Sequence, residues 1–266
     1  MKTVVGNIIA IYRKELQGYF ASPLALAIAA VFWLVSGFFF VVILLGQDGI
    51  IAQVATRDSM GITDPPIDAP YEFLQFFLSV MGSFSLFVLP MLSMGLYAEE
   101  RKRGTLELLA TSPLYNWTVA TGKLLGVLTF FVAMLMPLLL YEAIAFAGTN
   151  PPFPAAIPLV GHAALILLGA SILSLGMFVS SLTESTLLAA ILTFALVLFL
   201  WVIDSVAQNA GGALGATLEH LSLLDRYSNL IRGVVDTSSI ILFLSYIVLG
   251  IFLTAQSIEA LRFGRS

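Results

Sequence analysis

The sequence predicts an all-α membrane protein with six transmembrane helices and an N-terminal interfacial helix. Of its residues, 59% are hydrophobic and only 11% are charged, whereas soluble domains carry about 25% charged residues. The mean hydropathy is +0.99. The chain contains no cysteine, which excludes disulfides, thiolate metal sites and cysteine nucleophiles. A net charge of −4 provides no overall basic field for nucleic acid.

Six apolar runs are long enough to cross a hydrocarbon core, which needs about 20 residues of helix. The predicted spans are 24–46, 71–97, 119–147, 158–182, 186–206 and 239–259. The weakest boundary is the three-residue break Thr183, Glu184 and Ser185. Without that break, one run would be far too long for a single crossing, so a tight helical hairpin is predicted there. Residues 1–266 are expected to form a single transmembrane domain, which the first span itself inserts because no cleavable signal peptide is apparent.

Lysine and arginine are unevenly divided between the two ends of the predicted bundle, and the more basic end of a membrane protein faces the cytoplasm. One end carries Lys2, Arg13, Lys14, Arg101, Lys102, Arg103, Lys123, Arg262 and Arg265. The other end carries Arg57, Arg226 and Arg232. Both termini are therefore expected in the cytoplasm, which agrees with an even number of spans.

Residues 1–20 are too polar to form a span, but their apolar residues recur at helical spacing. The apolar face carries Val4, Val5, Ile8, Ile9, Tyr12, Leu16, Tyr19 and Phe20. The polar face carries Asn7, Arg13, Lys14 and Gln17. This pattern is typical of a helix lying in the cytoplasmic membrane interface. A soluble amphipathic helix packed on the bundle is the alternative.

Two segments are expected at the outer end of the bundle. Residues 47–70 predict a loop, because the prolines in 65–70 are incompatible with regular helix. Its four aspartates, Asp48, Asp58, Asp64 and Asp68, suggest either a solvated loop or a metal site. Residues 207–238 alternate leucines with charged residues and predict short helices on or in the outer leaflet. A simple exposed loop would leave those leucines in water.

The segment 98–116, between the second and third spans, opens with five consecutive charged residues at 99–103, and Gly104 then interrupts it. A short helix is expected to begin near Thr105, with apolar contacts from its leucines, and to end before Pro113. An ordinary basic flank would explain the arginines but not the glycine break and the apolar helix. A docking helix for a partner is the second interpretation.

The run 99–113, E-E-R-K-R-G-T-L-E-L-L-A-T-S-P, resembles the cytoplasmic loop of ABC type-2 exporter permeases. In that family an acidic and basic run, then Gly-Thr-x-Glu-x-Leu-Leu and a nearby proline, forms the coupling helix that docks on the ATP-binding subunit. Arg13, Lys14 and Glu15 resemble part of the family's N-terminal interfacial helix. The segment 220–236 is similar to the gliding-motility and copper-processing (nitrous-oxide reductase maturation) branches.

The resemblance implies the type V exporter fold, re-entrant helices in 207–238 and a coupling helix at 99–113. It also implies two permeases, identical or different, paired with two ATPase subunits in a bacterial cytoplasmic (inner) membrane. The implied docking residues are Glu99, Glu100, Arg101, Lys102, Arg103, Gly104, Thr105, Leu106, Glu107 and Leu109. The expected partners are the ATPase, a second permease and the lipid bilayer, with no nucleic acid.

The chain lacks the P-loop pattern G-x-x-x-x-G-K-[ST] that cradles phosphates. Its one Gly-Lys pair, Gly122-Lys123, is followed by Leu124 and begins a span, where Lys123 is expected to reach out to the membrane surface. We therefore expect no ATPase site and no cofactor in this chain, with ATP and Mg²⁺ bound by the partner.

Glu142 and Asp204 are the candidate pathway residues, because ionisable groups inside spans are costly and mark function. Both are expected near the outer ends of their spans, so they suggest either interfacial carboxylates or a substrate or ion pathway. His162 is expected to be a packed polar residue, since one histidine cannot form a zinc site.

These features predict the membrane permease of an ATP-driven exporter. An ATP-independent secondary transporter or a membrane scaffold is the competing class, although no clear internal repeat favours the carrier. An intramembrane enzyme would need catalytic residues at matching depth, which Glu142 and Asp204 alone do not supply.

Overall fold

The computed structural model describes residues 2–62, 68–106, 114–209 and 222–263, and the described residues form helices joined by short connections. Side chains 2–3, 204–205, 207–209 and 261–263 lie outside the description. The helices are α1 Lys2–Ala21, α2 Pro23–Leu45, α3 Ile50–Ser59, α4 Ala69–Ser93, α5 Gly95–Lys102, α6 Asn116–Phe146, α7 Ala156–Ser181, α8 Thr186–Asn209, α9 Leu223–Ile231 and α10 Thr237–Phe263.

Six of these helices are long and apolar enough to cross a membrane: α2, α4, α6, α7, α8 and α10. Their bounds agree with the predicted spans to within a few residues. The hairpin is also confirmed, because α7 ends at Ser181 and α8 begins at Thr186. The hydroxyl of Ser185 accepts from the Leu188 amide at 3.3 Å, which caps the start of α8.

The central element is α7, which packs against α10, α4, α6, α9, α8 and α5. Small residues of α7 allow its neighbours to approach closely. A Cβ added to Gly169 would lie 2.5 Å from the Phe131 ring of α6. One added to Gly176 would lie 2.1 Å from the Ser93 hydroxyl of α4. Since lipid provides no hydrophobic drive between helices, such close approach is a principal source of their attraction.

Serine hydroxyls add hydrogen bonds where α10 lies along α7. Ser171 donates to the Phe243 carbonyl at 3.2 Å, and Ser174 donates to the Tyr246 carbonyl at 3.2 Å. A Cβ added to Gly250 would lie 2.6 Å from the carbonyl carbon of Ser174. The two backbones are therefore in direct contact.

The connection between α2 and α4 differs from the loop predicted for 47–70, because it contains the helix α3. Gly49 caps this helix, and its amide donates to the Gly46 carbonyl at 2.9 Å. Pro70 lies in the first turn of α4, where the missing N–H is not needed. Asp68 caps α4 by accepting from the Tyr71 amide at 3.2 Å. Asp64 lies outside the described residues. In the described part of the chain, no three histidine, aspartate or glutamate side chains lie close enough together to hold a metal ion.

The predicted short outer helices are represented by α9, while 210–221 lie outside the described residues. Tyr227 of α9 is 4% exposed, and its hydroxyl donates to the Leu78 carbonyl of α4 at 2.5 Å. Its ring fills the space beside Gly82, where an added Cβ would lie 2.3 Å away. The helix α9 is therefore anchored on α4.

A cysteine scan tests the orientation, because the chain has no native cysteine and Lys102 and Asp58 are exposed near opposite ends of the bundle. We expect a membrane-impermeant maleimide to label Lys102→Cys only from the cytoplasmic side and Asp58→Cys only from the other side. The reverse pattern would show that both termini face outward.

Replacing Gly250 tests the contact between α7 and α10. Gly250→Leu forces the two backbones apart, and overpacking of this kind lowers the free energy of unfolding by about 1–3 kcal/mol. We expect a lower midpoint of thermal unfolding in detergent. Gly18→Leu is the matched control, because a Cβ at Gly18 meets nothing within 4 Å. Equal midpoints for the two variants would contradict the contact.

Candidate coupling site

Lys123 lies in the first turns of α6, and its ammonium group is enclosed by the chain. The side chain is 2% exposed. Its Nζ lies 2.9 Å from Oε1 of Glu15 in α1 and 2.9 Å from Oε1 of Glu100 in α5. The ammonium also lies 5.0 Å from the centre of the Tyr97 ring, within cation–π range. We call Lys123, Glu15 and Glu100 the Lys123 cluster.

The prediction that Lys123 reaches out to the membrane surface is wrong. A lysine near the end of a span usually extends its ammonium into water. Here two carboxylates from other helices meet the ammonium inside the protein, and the ion pairs replace the water that it loses. The cluster therefore joins three separate helices, α1, α5 and α6.

Glycines on either side of Lys123 allow α1 to approach α6 closely. A Cβ added to Gly122 would lie 2.8 Å from the Ile11 Cβ, and one added to Gly126 would lie 2.7 Å from the Glu15 Cβ. Small residues four positions apart form one face of a helix, which lets a second backbone come near. This close approach brings the short carboxylate side chain of Glu15 to the ammonium.

Lys14 adds a second cation at the solvent-facing edge of the cluster. Its Nζ lies 3.7 Å from Oε1 of Glu100 and 3.9 Å from Oε1 of Glu15, and its side chain is 72% exposed. An exposed pair of this kind contributes about 0–1 kcal/mol. Removing one partner from a buried pair costs about 3–5 kcal/mol, because the remaining charge stays buried without compensation. Lys123 is therefore the dominant cation.

Tyr19 attaches the end of α1 to α4. Its hydroxyl donates to the Leu92 carbonyl at 2.6 Å, and its ring stacks on Phe130 with 5.3 Å between the ring centres. Burial raises the pKa of the Tyr19 phenol, and the nearby Glu15 carboxylate raises it further. The phenol thus remains a neutral donor.

The helix α5 continues α4 after a break at Met94, and α7 supports this junction. The Ser180 hydroxyl accepts from the Tyr97 and Ala98 amides at 3.1 and 3.0 Å and donates to the Met94 carbonyl at 2.7 Å. Further along α5, Arg101 donates to the Ser181 carbonyl at 2.8 Å. The charged run therefore begins inside α5, a helix that is fixed to the bundle.

The predicted break at Gly104 is confirmed, because its φ of +69° is a left-handed conformation that glycine adopts readily. Thr105 and Leu106 are helical, and 107–113, including Glu107 and Leu109, lie outside the described residues. Leu106 is 2% exposed and packs in the core of this chain, so its side chain is not accessible to a docking partner.

The remaining predicted docking residues divide into two groups. Glu100 and Arg101 are engaged within the chain, by Lys123 and by α7. The exposed residues are Glu99, Lys102, Arg103, Gly104 and Thr105 on the α5 side and Arg13 and Lys14 on α1. Glu99 and Arg103 form an ion pair one turn apart.

The candidate pathway residue Glu142 is not solvated at the end of its span as expected. It is 2% exposed, and its Oε2 lies 3.6 Å from Nδ1 of the buried His162. His162 also lies 3.0 Å from the Pro158 carbonyl, as a packed polar residue would. Asp204 belongs to α8, but its side chain lies outside the described part. Glu142 is far along α6 from the Lys123 cluster, so the two sites are separate.

An all-α bundle with six helices able to cross a membrane defines a multi-pass membrane protein. The family model for ABC-2 family transporter proteins matches residues 52–211, which is more than half of the chain. The protein belongs to this family and is a membrane permease component of an ABC transporter. A comparison with curated proteins gives no match. The matched region includes α4, α5 and Lys123, and it ends before α9.

Removing the buried cation tests the cluster. Lys123→Met leaves Glu15 and Glu100 close together without compensation, and we expect a loss of about 3–5 kcal/mol in the free energy of unfolding. Thermal unfolding in detergent would measure this loss. The triple variant with Glu15→Gln and Glu100→Gln should recover most of it.

Lys14→Met is the matched control, because its exposed ammonium contributes little. If the Lys14→Met and Lys123→Met variants unfold at the same temperature, the buried charge of Lys123 does not stabilise the fold.

Proposed function

We propose that this chain is the transmembrane subunit of an ABC exporter in a bacterial cytoplasmic membrane. In this proposal both termini face the cytoplasm, and a separate ATPase subunit in two copies binds ATP and Mg²⁺. A second permease, identical or different, completes the complex with the type V fold. The resemblance of 99–113 to the coupling helix of ABC type-2 exporter permeases supports this proposal. The similarity of 220–236 to the gliding-motility and copper-processing branches supports placing the chain near them.

The observation that carries the proposal is the attachment of an exposed charged surface to the spans through the Lys123 cluster. We define the docking surface as Glu99, Lys102 and Arg103 of the α5 end with Arg13 and Lys14 of α1, all exposed. Lys14 lies 3.7 Å from Glu100, so the two parts of this surface are adjacent. Charges of both signs give a partner a defined orientation.

Force on the docking surface would reach the spans through three kinds of contact. The Lys123 cluster links α1 and α5 to α6. Ser180 and the Ser181 carbonyl link α5 to α7, and Tyr19 links α1 to α4. In our proposal, closure of the ATPase pair moves α1 and α5 together, and the paired permeases shift between inward-facing and outward-facing states.

Charge reversal on the docking surface tests the proposed ATPase contact. We expect Lys102→Glu with Arg103→Glu to reduce co-purification of the partner ATPase at least about tenfold, because like charges at an interface cost several kcal/mol. Measured with equal amounts of folded permease, this loss would also abolish stimulation of ATP hydrolysis.

Asp58→Lys is the matched control, since it reverses a charge at the opposite end of the bundle. If the Lys102→Glu and Arg103→Glu variant assembles with the ATPase and transports normally, the docking surface does not bind the ATPase. Transport by this chain without any nucleotide-hydrolysing partner would exclude the exporter proposal.

A further inference from the structure

A cavity of about 570 Å³ lies between the end of α2, the start of α3 and the first turns of α4. This is the end of the bundle opposite the Lys123 cluster, since the 25 residues of α4 span about 37 Å at 1.5 Å per residue. A volume of this size is typical of small-molecule sites. It belongs to neither the coupling site nor the Glu142–His162 pair.

The mouth of the cavity is acidic. Asp48 comes from the connection after α2, and Glu72 comes from the first turn of α4. Neither carboxylate has an ion pair with a residue that the structure describes. Gln47 and Gln75 add amide groups. The described lining residues thus give the mouth two carboxylates and no lysine, arginine or histidine.

The apolar part of the cavity lining lies further from the outer end of the spans, and we call it the floor. Ile43 lies in the last turn of α2, whereas Asp48 lies in the connection that follows this helix. Phe76 follows Glu72 by one helical turn, which is about 6 Å along α4. Phe76 is 60% exposed and Val42 is 43% exposed, so both offer uncovered apolar surface to an occupant. Polar and apolar linings are therefore separated along the direction of the spans.

The glycines between α2 and α3 shape one wall of this cavity. A Cβ added to Gly49 would lie 2.7 Å from the Gly46 amide nitrogen, so only glycine permits this tight turn. The Gln53 side-chain amide donates to the Asp48 carbonyl at 2.8 Å and fixes the same turn. The position of Asp48 at the mouth is thus set by backbone geometry.

We propose that this cavity binds the cationic head of an amphipathic amine, with the apolar chain of the ligand lying on the floor beside Phe76. Two carboxylates attract an ammonium group, amide oxygens accept its hydrogen bonds, and an uncompensated acidic mouth repels anions. An anionic or neutral amphiphile would leave the carboxylates without a partner. The inference rests on the proposed transport function, because it names the class of molecule that the exporter would handle.

The test uses radiolabelled dodecylammonium, whose head group donates hydrogen bonds, and the purified chain in a non-ionic detergent, read by scintillation proximity. We expect saturable binding that unlabelled probe displaces and that dodecanoate and methylammonium do not. Asp48→Asn with Glu72→Gln should weaken binding about tenfold, which corresponds to about 1.4 kcal/mol. Phe76→Ser should weaken it by removing part of the floor.

Asp58→Asn is the matched control, because Asp58 is an exposed carboxylate of α3 that does not line the cavity. Absence of saturable binding, or equal affinity of the wild-type chain and the double variant, would overturn the proposal. An equal loss in Asp58→Asn would also overturn it, because the effect would then be general surface charge.

A second arm distinguishes a lipid headgroup amine from a soluble amphiphile. In nanodiscs of phosphatidylglycerol, added phosphatidylethanolamine should compete with the probe if the natural ligand is a membrane lipid. Lack of competition supports a soluble amine of the same chemistry. Binding is measured without the ATPase, and ATPase co-purification is measured separately. Lost probe binding with normal ATPase assembly therefore contradicts this inference alone.

Discussion

The buried ammonium of Lys123 is the interaction on which the arrangement of the coupling site depends. A charge inside a protein must be paired, and this one pairs with carboxylates from two other helices. Apolar contacts alone would let α1 slide along α6, because lipid competes for the same apolar surface. The ion pairs have defined partners and distances, so we infer that they fix the register of α1 and α5 on α6.

The second constraint is the close packing of α7 at the centre of the bundle. Its glycines let neighbouring backbones approach, and its serines donate to carbonyls of α10. At its end, Ser180 holds the junction of α4 and α5, so the same helix supports both the core and the charged surface. A movement of α5 must therefore either carry α7 with it or break these hydrogen bonds.

Local patterns in the sequence predicted the parts of the fold that depend on local physics. Apolar length located the six spans, and three polar residues located the hairpin before α8. The helix α3, the buried Glu142 and the burial of Lys123 were not predicted. Positions 15, 100 and 123 meet only after three helices have packed, and hydropathy does not contain that information. The flanking Gly122 and Gly126 were the one local signal of a close neighbour.

The two ends of the bundle differ in their charge, and this difference matters for transport. At the coupling end the carboxylates are compensated by Lys123 and Lys14, whereas Asp48 and Glu72 at the other end have no cation among the described lining residues. The helix α4 reaches from one end to the other, contains Pro90 in its last turn and is continued by α5 after a break at Met94. Proline cannot donate the usual helical hydrogen bond, and Ser180 provides polar contacts just after it. We infer that Ser180 couples α5 to α7 at this junction, so that α4 and α7 together connect the coupling end to the acidic end.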